Sequence, residues 1–259
     1  MQPYEILLYI FIFLYGLVIG SFVNVLIYRL PAHENIATVN SHCMSCGHRL
    51  QWYDLVPLFS WLALKGRCRY CGEKISIQYP MIEAINGAGY VLIFVMNGFT
   101  VTSVCYALAY SMLVAIAVID WRTYEIPAGL NIAILCFGLI RAIVLWAMDG
   151  WAVDTILYYG IGMISVSLFL FLLFVLTKGR GIGGGDIKLM AAAGLLLGWK
   201  HILLALVLGC IFGSVIHLIL MKVRDKGRVL AFGPYLSLGI FLTMLFGDPL
   251  IDWYMGFFA

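Results

Sequence analysis

The chain has 259 residues, of which 63% are hydrophobic types and only 11% charged, with a formal net charge of +3. That balance excludes an ordinary water-soluble globule, because one core of this size cannot hide so much apolar surface. The small net charge calls for no nucleic-acid partner; a lipid bilayer must be part of the solvent.

A bilayer crossing needs roughly 20 apolar residues in a helix rising about 1.5 Å per residue. In chain order, runs of that kind cover 4–28, 81–96, 101–119, 130–148, 153–177, 187–199, 202–221 and 229–246. The expected fold is an all-α polytopic membrane protein of about eight spans. The sixth run is short, so seven is the alternative. No Lys or Arg precedes the first run and no A-x-A-like site follows it, so it reads as a signal anchor, not a cleaved signal peptide. The expected division is a first transmembrane helix (1–28), a cytoplasmic four-cysteine loop (29–80) and a transmembrane core (81–259).

Basic residues stay on the cytoplasmic side of membrane proteins. Arg29, Arg49, Lys65, Arg67, Arg69 and Lys74 lie between the first two runs, and Arg122 follows the third. Lys178, Arg180 and Lys188 flank the gap between the fifth and sixth, and Lys222, Arg224, Lys226 and Arg228 that between the last two. These segments alternate as one face of an eight-span protein must. The other face carries Glu5, Asp149, Asp154, Asp248 and Asp252, with Lys200 its one clear base, so both termini are expected outside the cytoplasm. Arg141, inside the fourth run, either snorkels or faces the bundle interior.

The loop 29–80 contains Cys43-Met44-Ser45-Cys46 and Cys68-Arg69-Tyr70-Cys71, each pair followed by glycine, Gly47 or Gly72. Two such knuckles let four thiolates converge on a structural zinc while glycine permits the tight turn. The alternative, two disulfides or redox dithiols, fits a cytoplasmic loop poorly. His42 and His48 are neighbours that could compete as ligands. Cys105, Cys136 and Cys210 lie alone in apolar runs and read as packing residues.

Charge at membrane depth is costly, so each instance calls for a function. Asp120 ends an apolar run. Asp186 ends the stretch Gly179-Arg180-Gly181-Ile182-Gly183-Gly184-Gly185 and opens the sixth run. Both fall at the cytoplasmic boundary, where two carboxylates can share a proton and activate water. Glycines give a backbone that turns sharply and lets a substrate strand approach. Asp186 near a helix N-terminus is expected to favour its charged form and lean toward base, and Asp120 near a C-terminus toward acid. The competing explanation is an interfacial turn in which Asp186 only caps a helix. A dinucleotide site is excluded, since no strand precedes the glycines. Gly16/Gly20, Gly194/Gly198 and Gly209/Gly213 have the spacing of close helix contacts.

Several motifs in order resemble the bacterial type IV prepilin peptidases, over nearly the whole chain. Gly20-Ser21-Phe22-Val23-Asn24 through Arg29-Leu30-Pro31 is similar to that family's opening motif, and the paired knuckles follow. Tyr79-Pro80-Met81-Ile82-Glu83 resembles the start of its second span. Gly183-Gly184-Gly185-Asp186-Ile187-Lys188 resembles its G-x-G-D signature, and Asp120 with Ile126-Pro127 its other catalytic segment. The resemblance implies a metal-independent aspartyl peptidase of the bacterial inner membrane, with Asp120 and Asp186 catalytic and Gly183, Gly185 and Lys188 in the active-site loop. Its substrates would be type IV prepilins and pseudopilins, cleaved after a short basic leader at the cytoplasmic face. Lys188 would orient Asp186 or serve only as a cytoplasmic anchor. Relatives with the cysteine loop also methylate the new N-terminus from S-adenosylmethionine, and this activity is implied by resemblance alone. Ala128-Gly129 departs from the acidic or amide residue often found after Ile-Pro.

Two other classes compete: a proton- or cation-coupled transporter using the paired aspartates, and a zinc-bearing scaffold without catalysis. Both aspartates lie near one face instead of the midplane, and no inverted repeat is visible, which weighs against transport. The scaffold leaves the aspartate pair without a role.

Overall fold

A computed structural model describes residues 3–36, 38–224 and 231–257, with backbone alone for Pro3 and 221–224. It is helical, with no strand among the described residues. The elements are α1 (Pro3–Arg29), a 3-10 turn (Trp52–Asp54), α2 (Phe59–Ala63), α3 (Gln78–Asn97), α4 (Val101–Thr123), α5 (Ala128–Met148), α6 (Val153–Leu176), α7 (Gly184–Leu197), α8 (Trp199–Arg224) and α9 (Gly233–Met255). Each of the eight expected runs contributes a helix. Seven are long and apolar enough to cross a bilayer. At 14 residues α7 falls below that length, so the eighth crossing expected from sequence rests on a short helix. The side chains of Lys222 and Arg224, with Lys226, Arg228 and the start of the eighth run at Val229, lie outside the described residues.

The chain forms two compact units, Met1–Val95 and Met96–Ala259. In the first, α1 and α3 approach so closely that a Cβ on Gly16 would stand 2.7 Å from the Gly87 Cα. Buried amides fasten the seam: Asn86 Nδ2 donates to Gly16 O at 2.8 Å and Asn24 Nδ2 to Tyr79 O at 3.1 Å. The intervening loop folds into two knuckles in the same register. Cys43 N–H donates to His48 O and Gly47 N–H to Cys43 O; Cys68 N–H donates to Glu73 O and Gly72 N–H to Cys68 O. Gly47 (φ 70°) and Gly72 (φ 73°) take the left-handed conformation that these turns require.

In the second unit α7 packs chiefly on α6 and α5, and α8 on α9. Glycine allows both contacts: a Cβ on Gly194 would meet the Gly162 carbonyl, and one on Gly239 the Ala205 carbonyl. Apolar side chains also crowd the outer surface, as at Leu168, Phe169, Phe171 and Leu172, where lipid replaces water as their neighbour. Arg141 faces the interior. It stacks on Tyr106 and Tyr159 and donates to Leu196 O at 2.7 Å, near the C-terminal end of α7.

The last helix runs nine residues past the apolar run read from sequence, through Pro249 to Met255. Gly247-Asp248-Pro249 reads locally as a stop. His201 Nε2 lies 2.9 Å from Asp248 Oδ1, and His201 Nδ1 lies 2.9 Å from the Tyr158 hydroxyl. This three-helix contact holds the segment in the helix.

Candidate active site

Asp120 stands on the last turns of α4. The helix ends because Tyr124 turns left-handed (φ 57°) and returns its N–H to Asp120 O at 2.9 Å. The Asp120 side chain is 5% exposed, and its Oδ2 accepts the Gly233 N–H, at the first residue of α9, at 2.9 Å. Gly233 has to be glycine for this approach, since a Cβ there would lie 2.7 Å from that oxygen.

Asp186 stands in the first turn of α7, outside the seven helices long enough to span. It is 8% exposed, and its Oδ2 accepts the Gly183 N–H at 3.2 Å. A capping role is therefore present, from the third helical position back to the residue that starts the helix. It does not use up the carboxylate. Burial first, then the negative charge of Asp120, pushes the Asp186 carboxyl up to about 6, against the pull of the Gly183 N–H. The two aspartates thus interact electrostatically. The favourable effect of the helix N-terminus on the charged form, expected from sequence, is outweighed by desolvation.

The glycines act by leaving space more than by turning. Gly183 (φ −77°) is extended backbone and α7 begins at Gly184; Gly179 (φ 75°) alone in 179–185 has positive φ. A Cβ on Gly185 would lie 2.9 Å from Ile126 Cβ, whereas Gly184 has nothing within 4 Å. Gly185 therefore seats the Asp186 turn against the Ile126-Pro127 segment that follows Asp120. Lys188 is exposed and joins no ion pair among the described residues. Sequence reading missed Gly233, whose one local signal was Gly-Pro opening the last helix, and it named Ile126 only as part of the segment resembling the family's, without its contact to Gly185.

In the first unit the Sγ atoms of Cys43, Cys46, Cys68 and Cys71 all lie within 4.8 Å of one another, and no disulfide joins them. Cys43 and Cys71 are 3.9 Å apart. Tetrahedral zinc with Zn–S of about 2.3 Å places sulfurs roughly 3.8 Å apart, so the four residues fit the metal. Outside the cluster, Asp54 ties the 3-10 turn to the second knuckle, accepting Arg69 Nε at 2.8 Å and the Tyr70 hydroxyl at 3.1 Å.

Residues 14–97 match the family model described as bacterial peptidase A24 N-terminal domain, and residues 107–218 match the type IV leader peptidase family. Curated relatives carry the name prepilin leader peptidase/N-methyltransferase. The protein of Aeromonas salmonicida is 31% identical, covering 94% of this chain and 92% of its own length. That of Xanthomonas campestris pv. campestris is 33% identical over 93% of this chain and 92% of its own. That of Myxococcus xanthus is 33% identical over 84% of this chain, which spans 64% of that relative. No solved structure matches the chain.

Proposed function

This chain belongs to the type IV leader peptidase family, and we propose that it is an intramembrane aspartyl endopeptidase that removes the short basic leader of type IV prepilins and pseudopilins. The observation that carries the reading is the Asp120–Asp186 pair. Two carboxylates from separate helices are each more than nine-tenths buried and each accept one backbone N–H, and the charge of Asp120 raises the Asp186 carboxyl. Such a pair holds one proton between them. The ionised member takes a proton from water, whose oxygen bonds to the scissile carbonyl carbon. The protonated member donates to the carbonyl oxygen, and collapse breaks the C–N bond as the leaving amine gains a proton.

The alternating Lys and Arg segments support an active site facing the cytoplasm of a bacterial inner membrane, with both termini outside. In this reading residues 1–28 anchor the chain, 29–80 form the cytoplasmic module and 81–259 the peptidase core. Cys43, Cys46, Cys68 and Cys71 hold a structural zinc that fixes the module and takes no part in hydrolysis. The relatives' second activity follows on the same substrate, with a methyl group passing from S-adenosylmethionine to the newly exposed N-terminal amine. Lys188, exposed beside Asp186, supplies positive charge at the cytoplasmic boundary.

The test is cleavage of a membrane-embedded prepilin by wild type, Asp120→Asn and Asp186→Asn proteins, each shown to be folded. Both variants are expected to lose at least a thousandfold in rate, in the range for removing half of a two-residue machine. Full cleavage by either folded variant would remove that residue from the mechanism. A net proton or cation flux through wild-type liposomes, lost in both variants, would return the transporter reading.

A further inference from the structure

The first unit contains another buried carboxylate. Glu83 on α3 is 7% exposed and has no ion-pair partner among the described residues. Its Oε2 accepts the Leu58 N–H at 2.8 Å, and the Ser21 hydroxyl on α1 also bonds to the carboxylate. Leu58 is itself unusual, a branched residue at φ 62° that nothing in its side chain favours. Glu83 holds that turn in place.

Beside it lies an unmet acceptor. Asn24, on the face of α1 that carries Ser21, is 2% exposed and its Oδ1 meets no donor. Turning the amide over gives no relief, because Nδ2 already points at two carbonyls, Gly20 O at 3.4 Å and Tyr79 O at 3.1 Å. Tyr79 precedes Glu83 by one helical turn, about 6 Å along the axis. Gly20 keeps the helices close there, since a Cβ would lie 2.8 Å from the Glu83 Cα. One seam therefore presents a carboxylate that joins no ion pair among the described residues and an unpaired amide oxygen about a turn away. Burying a carboxylate without a countercharge and an amide oxygen without a donor is unfavourable, and the missing partner is a small group with several N–H bonds and positive charge.

We infer that this seam binds a primary amine, and, resting on the methyltransferase reading above, that the amine is the N-terminus exposed by leader removal. Glu83 and Asn24 Oδ1 each accept one N–H. When a further ammonium proton passes to the Glu83 carboxylate, the nitrogen lone pair forms the new N–C bond to the transferred methyl carbon. The pair from the breaking C–S bond goes to the donor sulfur.

Glu83→Gln tests the charge while keeping an oxygen for the Leu58 N–H, and Asn24→Leu removes the unpaired acceptor at similar volume. The probe is a pair of peptides with the mature pilin's N-terminal segment, one with a free amine and one N-acetylated. Binding is measured to each protein in lipid nanodiscs, with zinc content and thermal unfolding as checks of fold. Wild type is expected to favour the free amine at least tenfold, and both variants to fall below twofold. Equal binding of the two peptides by wild type, or undiminished preference in folded Glu83→Gln, would overturn the proposal. Methyl transfer by Glu83→Gln at the wild-type rate would also sink it while leaving the methyltransferase reading intact. A wild type that discriminates between the peptides but transfers no methyl group would do the reverse.

Discussion

The four-cysteine module and the aspartate site are held in place by opposite means. Between residues 38 and 77 only Gly66 and Cys68 are buried, so the module has almost no apolar core. In α7, eight of fourteen residues are buried, Asp186 among them. Geometry in the first region must come from thiolates and turn hydrogen bonds. In the second it comes from helices pressed together at glycines. A site that must keep an uncompensated carboxylate dry needs a packed wall, whereas a scaffold loop can draw its folding free energy from a bound ion.

The comparison breaks most visibly on metal removal. Structural zinc contributes on the order of 10–16 kcal/mol of apparent binding free energy in small cysteine sites. Cys68→Ala, the most buried of the four cysteines, or treatment with a strong chelator should abolish zinc binding and leave amides 41–75 unprotected in hydrogen exchange. The helices of the second unit should keep their protection. Protection of 41–75 in the metal-free protein would mean that the knuckles fold on hydrogen bonds alone.

A smaller effect, of opposite sign, is expected at Asp186. Its folded pKa of about 6 stands above the ordinary 3.8. The stability it contributes is therefore full below about pH 4 and lost as pH rises through about 6, some 3 kcal/mol in all at 1.36 kcal/mol per unit. Asp186→Asn has no charge to desolvate, so it should unfold at a higher temperature than wild type near pH 7.5 and show no such advantage near pH 4. The proposed catalytic carboxylate is thus held at the expense of stability. The wild-type cleavage rate should fall as pH rises through about 6, where the pair loses its shared proton. An unfolding curve for Asp186→Asn that tracks wild type at both pH values would contradict this account of the site.

Much of this was readable from sequence, for reasons that differ by region. Asp120 and Asp186 stand out because a carboxylate at the end of an apolar run is expensive enough to be rare. The cysteine knuckles stand out because ligand spacing is local. What sequence did not reveal depends on contacts across long separations. Gly233 lies 113 residues from Asp120 and announces nothing of the oxygen it makes room for. The Leu58–Glu83 bond joins a loop to a membrane helix across 25 residues. The extension of α9 through Pro249 depends on His201, whose pairing with Asp248 no local pattern encodes. Helix type follows from composition, but the depth and company of each polar group follow from packing.

The smallest effects separate three adjacent glycines, of which the family resemblance singles out Gly183 and Gly185. Gly184 has open space where a Cβ would go, and it occupies the first position of a helix, so Gly184→Ala should be neutral or stabilising, within about 1 kcal/mol. Gly185→Ala meets Ile126 Cβ at 2.9 Å, a contact between two backbone-fixed carbons that neither can rotate away from. It should cost about 1–3 kcal/mol by overpacking and lower cleavage further by shifting the Asp186 turn. Gly183→Ala falls between, since its Cβ would lie 3.1 Å from the Asp186 carboxylate oxygen, which can move only by weakening its bond to the Gly183 N–H. Measured by thermal unfolding and by cleavage rate, the order of damage should be Gly185, then Gly183, then Gly184. If Gly184→Ala proves as harmful as Gly185→Ala, the glycines are serving backbone freedom after all, and the role of Ile126 as the wall behind Asp186 falls with that result.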